Sequence, residues 1–188
     1  MPAERAYVLN MPATLLTAED LLHTSIPHKR SELVRGVLRV REPAGDRHGR
    51  VTMKLTLRLG TFVERAGAGQ LFAAETGFTL FRAPDTVRAA DIAFVRRERL
   101  PEAVPGYPAL VPDLVVEVLS PGDRPGDVLA KVADWLDAGT HLVWVIDPER
   151  RVARVYRLDG TESVITADEQ LDGADVLPGF RCPLESIL

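Results

Sequence analysis

The chain has 188 residues, 46% hydrophobic and 27% charged, enough for one domain with a full core and ordinary for a globular protein. A net charge of −4 gives no global basic field for nucleic acid, so any such binding must be local. No apolar run approaches the roughly 20 residues that span a bilayer, and the single Cys182 excludes an intrachain disulfide or a cysteine-rich zinc site.

The opening "MPAERAYVLNMPATLL" has no long apolar core or clean cleavage site, so the expected location is the cytoplasm. "TAEDLLHTS" predicts a short helix, with Thr17 as N-cap and Glu19 and Asp20 in its first turn. "SELVRGVLRVRE" reads as a hairpin turning at Gly36, with Glu32 on its first arm. From Asp46 to Ala66 the apolar residues fit both a strand and a helical stripe; about twenty residues are too long for one strand, so a helix is expected. "QLFAAETGFTLFR" reads as a hairpin turning near Thr76-Gly77, and "RAADIAFVRR" as a further strand carrying Asp91.

A proline-rich loop leads to "DLVVEVLSP", an apolar strand with Glu117 inside it. A helix follows from about Asp127 to Ala138, stopped by Gly139. "HLVWVIDPERRVARVYRL" is a hairpin with Asp147-Pro148-Glu149-Arg150 as its turn, then come a short strand near Glu162 to Ile165 and a loop-rich tail. The pattern predicts a single domain over residues 1–188 of mixed α+β or α/β class.

Asp91 and Glu117 are carboxylates among apolar neighbours. An unpaired buried carboxylate costs several kcal/mol or stays protonated. Neighbouring strands lie about 4.8 Å apart, so two carboxylates on paired strands can grip one hard divalent cation. Asp113 is a decoy: four residues from Glu117 on a strand, it stands about 13 Å away and is better suited to capping or to loop amides. Only three of the 23 basic side chains are lysines, Lys29, Lys54 and Lys131. Lys131 borders the apolar face of its helix beside Val128 and Trp135; it either reaches past the strand ends or pairs with Asp127 at i,i+4.

In order, "SELVRGVLRV", His48, "RAADIAFV", "PDLVVEVLSP", "GDVLAKVADWLDAGTHLVWVIDP" and "LPGF" resemble the Uma family of restriction-endonuclease-like proteins, over about Thr17 to Leu188. That family is assigned to the PD-(D/E)XK nuclease superfamily, whose core is a mixed sheet flanked by helices. The resemblance implies an endonuclease that hydrolyses DNA with Mg²⁺, for which Mn²⁺ can substitute. It implies Asp91, Glu117 and the backbone carbonyl of Val118 as metal ligands. Lys131 stands in for the usual strand lysine, whose position holds Leu119, and Glu32 completes the acidic cluster. Ala90 replaces the usual proline before the first aspartate. A homodimer is implied by the pairing common in that superfamily.

Other residues admit two readings. His48 contacts a phosphate or acts as a base, or else is a capping or surface histidine. Arg96, Arg97 and Arg99 form a basic cluster suited to backbone phosphates, or are surface arginines. Ser120 lacks a triad partner and fits a turn. Trp135 and Trp144 have core-like spacing. Glu32 either joins the site or pairs with Arg30 or Arg35. The competing functions are a nuclease-like domain that binds nucleic acid or protein without cutting, and an oligomer in which Glu117 forms a structural ion pair with an arginine.

Overall fold

Helices and strands alternate irregularly along the computed structural model, which describes residues 15–24, 26–27 and 29–188. The opening residues read above for a leader lie mostly outside the described ones. In chain order come α1 (Ala18–His23), β1 (Arg30–Val34), β2 (Val37–Arg41), α2 (Asp46–Ala66), β3 (Gly69–Ala73), β4 (Gly77–Phe81), β5 (Thr86–Ala89) and β6 (Ile92–Arg96). There follow β7 (Leu114–Val118), α3 (Pro125–Ala138), β8 (Leu142–Asp147), β9 (Val152–Arg157), β10 (Glu162–Thr166), β11 (Gln170–Asp172) and β12 (Arg181–Pro183). No described helix is long and apolar enough to cross a membrane. The class is mixed α+β, as the sequence predicts.

The chain divides into two compact units. The first holds residues up to Pro43, Gly77–Ala89 and Val104–Leu110. Its antiparallel sheet has the order β2-β1-β5-β4. Thr17 is the expected N-cap of α1, and Asp20 returns the bond to make a capping box; Ala18 and Leu21 pack on Leu33 and Val87. The β1–β2 turn falls at Arg35 and Gly36, both at positive φ (49° and 76°), the conformation that a tight hairpin demands and glycine tolerates.

The second unit holds residues 44–76, 90–103 and 111–188. Its sheet runs β10-β9-β8-β7-β6-β3, antiparallel except for the parallel β7–β8 pair. Parallel neighbours need a crossover, and α3 supplies it. Every residue of β7 and β8 is buried, as expected of strands covered on both faces. α2 is a helix as predicted, and it sets Val51, Leu55, Leu59 and Val63 against Leu114, Val116 and Val118. By alternation Val115 and Glu117 point to the other face. Gly139, at φ 106°, ends α3 where the sequence places the stop.

Three expectations change. β3 and β4 are not a hairpin: β3 pairs with β6, while β4 pairs with β5 through a turn at 82–85 that carries a cis Ala83-Pro84 bond. The proline and aspartate of "RAPD" make that turn; after β3 the chain turns at Ala74-Glu75, and Thr76-Gly77 leads straight into β4. "RAADIAFVRR" is two strands, β5 and β6, broken at Ala90 and Asp91. The tail is more ordered than a loop: β11 and β12 pair and bury Leu171 and Cys182 in the main core with Leu177, Phe180 and Ile187. Strands of three residues are too short for their periodicity to be read.

In the first unit Asp85 Oδ2 accepts from the Ala18 amide at 2.9 Å and from Arg82 at 2.7 Å, and Oδ1 from the Ala83 amide at 3.2 Å. Burial alone would raise the Asp85 carboxyl, but these two amides and the guanidinium outweigh it and hold it below its usual value. A group depressed in the folded state stabilises at pH above its unfolded value and loses that contribution as pH falls through its folded one. Asp85→Ala is therefore expected to cost about 1–3 kcal/mol at pH 7. In urea unfolding across a pH series, its gap from the parent closes only below the ordinary carboxylate value of about 3.9.

Candidate functional site

Glu117 is 9% exposed within an otherwise apolar strand. Its face of β7 meets α3, where Lys131 and Trp135 stand one turn apart. Lys131 Nζ donates to Oε2 at 2.8 Å, and Trp135 Nε1 donates to Oε1 at 3.0 Å. Both carboxylate oxygens are thus engaged, which answers the desolvation cost. Lys131, itself buried, points its ammonium at the strand carboxylate. Trp135 does more than the packing expected of it. The signal was available: Lys131 and Trp135 share a helix face at i,i+4, and a buried indole N–H needs an acceptor. Trp144, by contrast, packs in the core against Phe180.

Asp91 sits at the break just before β6. Its backbone N–H donates to Val116 at 3.1 Å, and the pairing of Ile92 with Val116 puts it beside Glu117 at the end of the ladder. Oδ2 accepts from the Val118 amide at 2.8 Å and meets His48 Nε2 at 3.0 Å. His48 is buried in the first turn of α2, and its Nδ1 lies 3.5 Å from the Thr52 hydroxyl. It is neither a surface residue nor a helix cap. Burial would raise the Asp91 carboxyl, but the hydrogen bond and charge of His48, the charge of Lys131 and the Val118 amide prevail and keep it below its usual range. Asp91 is an anion at neutral pH.

Asp91 is thus tied to Val118 and His48, and Glu117 to Lys131 and Trp135, with the Lys131 charge also felt at Asp91. The arginines are placed differently. Asp113 is fully buried and accepts from the Arg96 amide at the end of β6 at 2.9 Å and from Arg99 Nη1 at 2.6 Å. The Arg96 side chain donates to the Asp175 carbonyl at 3.0 Å. Arg97 is exposed after β6, and its amide donates to Ala68. Glu32, in the first unit, accepts from Arg88 at 2.9 Å and from the Ala89 amide at 3.0 Å. Arg88 is thus a partner that the sequence did not suggest. Ser120 takes its turn role, its amide donating to Asp123.

Among the described residues no three Asp, Glu, His or Cys side chains cluster as a metal cage. The donors at hand are two buried carboxylates, both oxygen ligands. That donor set fits a hard divalent ion that keeps several waters, and does not suit zinc or copper. His48 on Asp91, and Trp135 on Glu117, would orient the ligands from behind.

Residues 18–185 match the family Uma2, described as "Putative restriction endonuclease". No curated protein matches the sequence. Among solved structures, a crystal structure described as "a putative nuclease belonging to DUF820 from Anabaena variabilis" superposes with a TM-score of 0.78. It covers 92% of this chain and 97% of its own at 21% identity, so the likeness shows a shared fold.

The Glu117 environment yields a thermodynamic expectation. Lys131→Met strands a buried carboxylate and is expected to destabilise by about 3 kcal/mol. Adding Glu117→Gln removes the stranded charge and should recover more than half of that loss. Urea unfolding midpoints of the single and double variants give the comparison; equal losses would show that the two side chains are not coupled.

Proposed function

Since the chain belongs to the Uma2 family, we propose that it is a metal-dependent endonuclease that hydrolyses DNA phosphodiester bonds with Mg²⁺. The observation that supports this reading is a pair of buried carboxylates at the end of the β6–β7 ladder, Asp91 held below its usual range by His48, Lys131 and the Val118 amide, and Glu117 bonded by Lys131. Asp91, Glu117 and the Val118 carbonyl would hold the ion. When bound, Mg²⁺ supplies the Lewis acidity that ionises water near neutral pH and offsets transition-state charge.

The rest falls to the chain's own groups. The Val118 amide and His48 fix the rotamer of Asp91. Trp135 fixes that of Glu117 from the opposite oxygen to Lys131. The Lys131 ammonium, reaching Glu117 from α3, orients the attacking water or meets the scissile phosphate. This helix-borne lysine does the work left undone by Leu119. Glu32 holds the Ala89 amide, two residues before Asp91 in the chain. Manganese suits the same oxygen donors. Cutting both strands of a duplex would take two protomers.

Supercoiled plasmid incubated with Mg²⁺ or Mn²⁺ tests the reading. Nicked and linear products are expected, absent with EDTA and absent in Asp91→Ala and Glu117→Ala. Lys131→Ala is expected to slow the rate by about 10²–10³-fold. A wild-type protein that binds DNA yet leaves it intact with either ion would favour a non-cutting nuclease-like domain. Cutting that persists in both carboxylate variants would assign it to a contaminant.

A further inference from the structure

We propose that the exposed ridge of Arg47, Arg50, Lys54, Arg58 and Arg65 on α2 is the track on which a nucleic-acid phosphodiester backbone lies as it leads to the Asp91 and Glu117 carboxylates. The inference rests on the endonuclease reading and names the surface that holds its substrate. α2 carries these five basic residues against only Asp46 and Glu64, in a chain whose net charge is −4. At about 100° per residue the five fall within about 80° of arc, beside the buried stripe of Val51, Leu55, Leu59 and Val63. All five are exposed.

The ridge has direction as well as charge. From Arg47 to Arg65 it runs about 27 Å, at about 1.5 Å per residue, or about eight base pairs at about 3.4 Å each. Its first member precedes His48, the residue that grips Asp91 at 3.0 Å, so the ridge starts beside the site. Two of its heads are ordered by backbone oxygens: Lys54 donates to Leu188 at 2.8 Å, and Arg58 to Ser186 at 3.2 Å. Arg50 pairs with Asp46, but both side chains are more than 70% exposed, and a phosphate can displace so open a partner. This ridge supplies the local basic field that the acidic chain as a whole lacks.

Fluorescence anisotropy with labelled duplex DNA, single-stranded DNA and duplex RNA, in EDTA so that nothing is cut, tests the track and tells which backbone it takes. Arg47→Gln/Arg50→Gln/Lys54→Gln is expected to bind about tenfold or more weakly, its slope of log affinity against log salt flatter by about 0.9 for each phosphate no longer neutralised. Arg151→Gln/Arg154→Gln, on the β8–β9 hairpin, should bind like wild type, and thermal melting checks that each variant is folded. Unchanged affinity and slope in the triple variant overturn the inference, as does a wild type that binds none of the three. The endonuclease reading fails separately: ridge-dependent binding by a protein that never cuts would refute catalysis and leave the track standing. Normal cutting by the triple variant would do the reverse.

Discussion

A carboxylate in the middle of a strand buried on both faces is the constraint around which the second unit is arranged. Glu117 cannot shed its charge into solvent, so the chain must bring donors to it. The parallel β7–β8 pair forces a helical crossover, and that crossover returns across the Glu117 face of the sheet. One helical turn then suffices to aim an ammonium and an indole N–H at the two oxygens. The topology that buries the charge is the topology that satisfies it. Removing either partner leaves a cost that no apolar packing offsets.

Asp91 is solved differently. It lies where the backbone leaves one sheet and joins another, and such a break frees its carboxylate to turn toward the Val118 amide. Its other support comes from α2. The two acids are therefore held from separate helices, and neither depends on the other for its rotamer. Each carboxylate is thus fixed before anything binds, so less ordering would be left to a moment of binding.

Much of this could be read from the sequence where period and punctuation agreed. The Thr17 N-cap, the Gly139 stop and the Asp147 turn are local chemistry, and all stand where expected. The choice of helix over strand for α2 followed from length. What escaped was non-local. A Thr-Gly pair and a Pro-Asp turn look alike as loop signals, and only sheet membership separates the β3–β4 crossing from the β4–β5 hairpin. Asp91 and Glu117 were visible as charges in apolar runs. That His48 faces Asp91 across 43 positions, or that Arg88 takes Glu32, depends on packing that no spacing encodes. Trp135 was the exception, since its helical phase with Lys131 held the answer. The resemblance supplied the roles of these residues, and geometry supplied their partners.

The indole of Trp135 touching Glu117 also makes the site optically legible. An excited indole has a large dipole, and its emission energy follows the electric field along the ring. Any ion that draws charge from Glu117 or displaces Lys131 alters that field at bonding distance, whereas Trp144, stacked near Phe180 in an apolar setting, keeps a constant one. The protein thus carries a native probe and its own reference, with no dye to attach.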